Sequence, residues 1–585
     1  MKIQNVWNVL LAGVLLVCHT VAIAGSKADY LLTNAKAYTL DGDQPWAEAV
    51  AFSGNKIVYV GDAGGSKAFV DDETEIIDLE GKMLLPGFIS GHDHLIANTW
   101  TNSGVNLNAA KSKEETFAML KQYVKDNPDL EMVVGQGYNA NIMGGYPTAK
   151  ELDAIIPDKI AIILDYTIHD AWLNTLAMEA GGITKNTPDA VPEVTYWVRD
   201  EAGNPTGVGV ELAWFDTYAK VAWNPEVMIA ESRETLHDIG TRGGFTSVLT
   251  PGLVTPNFAN TDGMFADLET AMAMLTELDK QGELNIRSFV QPAYKDPNTD
   301  PEAFAKRSRE IADRYDGDRV KVFGIKIHPE GTWSSGGVLM AEPWEGTEDY
   351  GASATSPERI KEVVLAANAQ GLDVITHVEG SATVRGKIDA ILASRAAGNE
   401  DERNALHHFM IVTPQDLQRT IENQIPVNVT PIFSTDWSSQ DKDYLRMLGE
   451  KRTNEQVNQI APLANGGVRL SISSDTPSSP QDNIAALMQI YSAVTLKDPF
   501  APATSRPFPP KASPLTLEQA LEALTVNPAW QLRMEDKIGS LEVGKYADMV
   551  VLDKNLFDIE DLDEILEAKV QATIMDGKFR FRDGI

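Results

Sequence analysis

The chain has 585 residues, 43% hydrophobic and 23% charged, the composition of a globular protein and not of a disordered one. That length exceeds one ordinary core and favours two domains, or one large barrel with additions. Acidic residues outnumber basic ones by 84 to 50, and a formal charge of −34 argues against nucleic acid or anionic membrane as a partner.

Residues 1–24, MKIQNVWNVLLAGVLLVCHTVAIA, set Lys2 before an apolar centre and end in Ala22-Ile23-Ala24. This is the order of a secretory signal peptide, with cleavage expected after Ala24. The apolar core is short for a membrane span. The single cysteine, Cys18, lies within it behind Val17, where a lipoprotein site would want a small residue. The mature chain is expected to be exported, periplasmic or fully secreted, with no membrane attachment. It would carry no cysteine, which excludes disulfide frameworks, thiolate metal sites and cysteine nucleophiles.

Residues 25–85 read as short strands of alternating apolar and polar residues, punctuated by Gly, Asn and Asp. The same texture returns over 535–585, in ADMVVLD and VQATIMDGKFRFRDG, so one small β domain assembled from both ends is expected. Between them, over 86–534, apolar strands alternate with amphipathic helices. The strands are GFISGHDH, GGFTSVLTP, LNIRSFVQP, RVKVFGIKIHP, LDVITHVEG, ALHHFMIV, IPVNVTP and VRLSISSD. Strand–helix units of this number predict an α/β protein with a (β/α)8 barrel. A long interval, about 98–230, interrupts the rhythm after the first strand and reads as an insertion above the barrel mouth. Near the end, Thr516-Leu517-Glu518-Gln519 opens a helix with a capping box.

Residues i and i+2 of a strand share a face, so His92 and His94 project together and Asp93 turns away. At the C-terminal end of a barrel strand that direction is the mouth, where two imidazoles can share a divalent cation. His377 ends the fifth strand, His408 lies in the sixth and Asp475 ends the eighth, each at a matching height in its own unit. A buried polar side chain without a partner is costly, so their convergence predicts a common metal. Lys326 sits among Val, Phe and Ile in the fourth strand, where a bare ammonium is expensive. Lys321 competes with it in the same strand, and His328 shares its face just before Pro329.

Taken in order, LLPGFISGHDHL, HDAWLNTLAM, GGITKNTPDA, GNPTGVGVELA, VFGIKIHPEG, HFMIVTPQDL, SDTPSSP and IGSLEVGKYADMVVLD resemble the amidohydrolase superfamily. Within it they resemble the N-substituted formamide deformylase-like branch, from about residue 28 to the end. The resemblance implies a distorted (β/α)8 TIM barrel carrying a small β-sandwich from both termini. It implies that His92, His94 and Asp475 bind the more buried metal and that His377 and His408 hold a second. Lys326 would be carbamylated and bridge the two ions, with zinc the expected metal and one or two sites filled. His408 is preferred to His407 because HFMIV matches the family's HAQIV pattern. In TIHDAWLN, the residues His169, Trp172 and Asn174 are implied as substrate contacts.

The implied chemistry is attack of a metal-activated water on an amide carbonyl, with Asp475 as catalytic base and then acid. With the signal segment, the resemblance implies an exported metal-dependent hydrolase of a non-peptide C–N bond in a small molecule, N-formyl or N-acyl amides first. A cyclic amide hydrolase or deaminase is the rival enzyme. A regulatory or binding protein on the same fold is the rival of another class, although all six implied ligand positions are filled. Glu330, Ser381, His407, Ser478 and Ser479 depart from the branch's usual residues, which bears on the substrate and not on the ligands. Self-association is left open.

Overall fold

Alternating side chains let each end of the chain bury one face of a strand, and the two ends bury those faces together. The computed structural model describes residues 27–96, 99–192, 194–479 and 484–585, so the expected signal peptide and Cys18 lie outside the described residues. One sheet holds Tyr30–Thr33, Ala49–Ser53, Lys56–Gly61 and Glu75–Asp78. In the other, Lys36–Tyr38, Trp46–Ala47 and Met83–Pro86 join Met549–Leu552, Val570–Met575 and Lys578–Arg582 from the far end. The join is antiparallel, with Val551 opposite Leu84. Leu32 and Val50 of the first sheet share one buried cluster with Ala37, Leu84, Val551 and Ile574 of the second.

In the middle, all eight expected strand positions carry strands. They are Phe88–Ser90, Phe245–Thr250, Arg287–Val290, Val320–Val322 with Ile325–Ile327, Val374–Val378, Ala405–His408, Val427–Val429 and Leu470–Ile472. Neighbours pair in parallel in that order. They form two arcs and not one closed sheet. The break falls at Gly324, whose φ of +66° interrupts the fourth strand. Its first half pairs with Arg287–Val290 and its second with the short strand Ala293–Tyr294. At the other seam two backbone bonds lie just past the strand ends, Asp475 N to His92 O at 3.2 Å and His94 N to Thr476 O at 3.0 Å. The seam thus runs through the residues expected at the site.

Helices Thr261–Gln281, Pro301–Ala312, Pro357–Ala369 and Pro414–Glu422 connect the strands and start at Asn260, Asp300, Ser356 and Thr413. Each of these four side chains accepts a backbone N–H of the first turn, which would otherwise lack a partner. The capping box at Thr516 and Gln519 is present.

Residues of the long interval build a sheet of their own. Its order is Trp197–Arg199, Pro205–Gly209, Ala171–Leu173, Ile160–Asp165, Met132–Tyr138 and Val105–Asn106. Leu120, Val133, Ile163, Trp172 and Val208 belong to its separate core. Among the described residues no helix is long and apolar enough to cross a membrane.

Candidate metal centre

His92 and His94 leave the end of Phe88–Ser90 together, and both face Asp475. His92 Nε2 lies 3.2 Å and His94 Nε2 3.5 Å from Asp475 Oδ1, while His408 Nδ1 lies 3.9 Å from Oδ2. Lys326 Nζ approaches His92 Nε2 at 3.4 Å. The His377 and His408 rings are 4.4 Å apart, and Glu379 Oε1 lies 3.7 Å from His377 Nε2. All six sequence-expected ligands therefore meet at one place. His408 and Asp475 reach it with φ of +71° and +54°, a left-handed backbone that costs energy in non-glycine residues and clusters at functional sites.

Burial, then the charge of Lys326, pushes the His92 imidazole well below its ordinary value. His377 and His408 are pushed down in the same way, burial first. Burial also lowers the Lys326 amine, to about 7. Neutral imidazoles present lone pairs. His408 Nδ1 is buried and has no hydrogen-bond partner, an arrangement that a cation would satisfy. Two donor sets have their ligand atoms within 4.8 Å of one another: His92, His408 and Asp475, and His377, Glu379 and His408. Imidazole nitrogen with carboxylate oxygen suits zinc and similar divalent ions. The residues fit the group.

The surroundings fix these side chains. His94 Nδ1 donates to Gly252 O at 2.8 Å, which turns its Nε2 lone pair toward Asp475. Asp93, turned away as the i, i+2 rule requires, accepts the hydroxyls of Ser90 and Ser474 and, at 3.1 Å, the Thr476 N–H. It ties the two seam strands together behind the site. His407 is also turned away, and its Nδ1 meets His92 Nδ1 at 2.7 Å.

The inserted segment supplies one wall. His169 Nδ1 lies 2.9 Å from Glu211 Oε2. Burial alone would lower this imidazole, but the Glu211 carboxylate outweighs it and raises it to about 9, so His169 is a cation at neutral pH. Lys295 Nζ donates to His328 Nδ1 at 2.8 Å, and burial brings its amine down to about 8. Glu211, Lys295 and Glu379 were not anticipated. Lys295 carries no signal in the sequence, whereas Glu211 lies inside the quoted GNPTGVGVELA and Glu379 stands two residues past His377 in LDVITHVEG, where the i, i+2 rule could have found it.

Two expectations are corrected. Trp172 and Asn174 do not line the pocket. The strand Ala171–Leu173 points Trp172 into the insertion's core, with Nε1 donating to Thr148 O at 2.8 Å. Asn174 is fully buried and caps the helix Thr175–Gly181, its side chain also donating to Ile156 O and Lys159 O. His169 does face the pocket. Above the polar floor the walls are largely aromatic, from Tyr166, Phe215, Phe258, Trp333, Phe433 and Trp437, around a cavity of ≈ 90 Å3.

Histidines and a carboxylate gathered past the ends of parallel strands, under a small cavity, define a hydrolase-like α/β scaffold with a candidate metal site. The chain belongs to the amidohydrolase family, which it matches over residues 75–581. The protein LONG AFTER FAR-RED 3 of Arabidopsis thaliana is 27% identical over 563 residues, covering 95% of this chain and 92% of its own. The N-substituted formamide deformylase of Arthrobacter pascens is 24% identical over 573 residues, covering 94% and 98%. A solved structure, an uncharacterized metal-dependent hydrolase from Pyrococcus horikoshii OT3, superposes with a TM-score of 0.67 at 24% identity, covering 91% of this chain and 98% of its own. The family resemblance read from the sequence holds.

Proposed function

We propose that this protein is a metal-dependent hydrolase of a non-peptide C–N bond, acting on a small N-formyl or N-acyl amide. The observation that carries the reading is the unpartnered, buried His408 Nδ1 facing Asp475 among neutral imidazoles. His92, His94 and Asp475 would hold one divalent cation, zinc first, and His377 and His408 a second, with Glu379 in reach of it. Lys326, neutral over much of the physiological range with its amine near 7, suits carbamylation and would then bridge two ions. Such a cation would lower the pKa of water toward ~7 and polarise an amide carbonyl.

The chain's own residues do the rest. Asp475 accepts the proton of the attacking water and returns it to the leaving nitrogen, acting as base and then acid. The His169 imidazolium, held by Glu211, faces the cavity where a carbonyl oxygen gains negative charge and stabilises it there. The apolar walls keep bulk water from that charge and strengthen both effects. We read the two arcs as a distorted (β/α)8 barrel with a β-sandwich, and residues 1–24 as an export signal. On that reading the mature protein is periplasmic or secreted and takes a small molecule, with no nucleic-acid or membrane partner.

Metal analysis and turnover of a formamide and acetamide panel test the proposal. At least one equivalent of bound cation is expected, with activity lost on chelation. Asp475→Asn should lower kcat by roughly 10^2–10^4-fold. Ammonia as the product of a ring-amine substrate would move the reading to a deaminase. Less than one equivalent of metal together with no turnover would leave a binding protein.

A further inference from the structure

The inner cavity is small. Its ≈ 90 Å3 compares with about 150 Å3 for an apolar cavity that admits benzene. Room for a formyl or acetyl group at the metal centre leaves the remainder of a larger substrate outside. A second cavity of ≈ 940 Å3 lies there, and it shares Tyr166 and Trp437 with the inner one. Those two rings stand edge to face at 6.4 Å and form the partition between the cavities.

The outer lining has a different chemistry. Asn106, Asn108, Gln136 and Asn139 contribute planar amides; the Asn106 and Asn139 oxygens already accept, from Asn108 and from the Asn141 N–H, which leaves their Nδ2 groups to donate and Asn108 Oδ1 to accept. Asn106 and Gln136 are register partners on adjacent strands and so present a common face. Asn108 donates from both its backbone and its side chain to Asn106 Oδ1, at 3.0 Å each, which holds the pair in place. Phe500 is 40% exposed, an unusual aromatic face on a polar wall. The charged lining is one cation and one anion, Lys111 and Asp498, with Asp498 engaged by the Phe500 N–H at 2.9 Å. A charged ligand finds no net counter-charge in it. Hydroxyl groups find donors and acceptors, and the C–H face of a saturated ring finds aromatic surface.

We infer that the outer cavity is a substrate subsite for an uncharged, polyhydroxylated ring attached to the amide nitrogen, with the amide group, carbon and nitrogen together, reaching the inner pocket past Tyr166 and Trp437. This rests on the amide-hydrolase reading of the inner pocket. The test compares two formamides of equal ring size, N-formylglucosylamine and N-cyclohexylformamide, on the zinc-loaded enzyme. A kcat/KM ratio of at least ~10 in favour of the sugar is expected, because several ring hydroxyls gain hydrogen bonds to the lining amides that cyclohexane cannot make. Asn106→Leu and Phe500→Ala should each bring the ratio toward one, a readout that a general loss of folding does not produce. Calorimetric binding of N-formylglucosylamine to metal-free protein separates the two proposals. Saturable binding that Asn106→Leu weakens, with no amide turned over, supports the subsite while the hydrolase reading falls. Turnover with equal kcat/KM for both formamides, or a preference unchanged by both substitutions, overturns the subsite. Neither binding nor turnover overturns both.

Discussion

His407 and His408 are neighbours in sequence with opposite roles. A φ of +71° swings His408 into the cavity, while His407 stays behind His92 with Nδ1 2.7 Å from its Nδ1 and with Gln531 Nε2 3.0 Å from its Nε2. This contact between the two Nδ1 atoms fixes the orientation in which His92 presents Nε2 to the cavity. His407→Ala should therefore weaken metal affinity by about 10–100-fold, measured by chelator competition, without removing a ligand. The His169–Glu211 pair gives a pH signature. An imidazole raised from 6.5 to about 9 stabilises the fold fully below 6.5, and that contribution fades as pH rises through about 9. The stability advantage over His169→Gln should shrink by up to about 3 kcal/mol between pH 6 and pH 10, read from chemical denaturation at each pH. At this scale the sequence exposed what spacing encodes. His92 and His94 share a face by the i, i+2 rule, and a charged Lys326 in an apolar strand announces itself. Lys295 is an ordinary loop charge until the chain folds, and Glu211, though inside GNPTGVGVELA, shows its pairing with His169 only in three dimensions. Trp172 and Asn174 misled because nearness to His169 along the chain is not nearness in space. Strand alternation sends Trp172 into a separate core.

The parallel strands were legible because they are apolar on both faces, as strands covered on both sides must be. The division into two arcs was not, since it depends on one glycine inside an apolar run. A Cβ at Gly324 would stand 2.4 Å from the Asp373 carbonyl oxygen, and φ of +66° disfavours any other residue. This break lets the fourth strand restart in a new register, with Ile325 and Ile327 in the main core and Lys326 facing His92. Gly324→Ala should cost about 1–3 kcal/mol in unfolding free energy. It should also reduce metal content, since Lys326 would no longer be delivered to the same place.

Across the molecule, one cation fastens the parallel strands to the two-ended β layer. Arg287, 1% exposed, donates from Nε and Nη2 to Asp548 at 3.0 and 3.2 Å and also pairs with Asp576. Replacing it with Leu strands the buried Asp548 carboxylate and leaves Asp576 with only Arg319, and a loss of about 3–5 kcal/mol is expected by chemical denaturation. The two-ended layer itself was readable, because the strand texture of 25–85 recurs at 535–585. Its anchor was not, since Arg287 opens a short strand, RSFV, with no nearby partner in sequence, and its counter-ions lie far along the chain. That separation has a consequence for biosynthesis. A ribosome finishes every strand of the two arcs before it makes Asp548 or Asp576, so the nascent sheets carry a guanidinium without its carboxylates until translation is nearly over. Completion of the scaffold waits on the final strands, and a chain released a few dozen residues early would be expected to reach degradation before it reached its native shape.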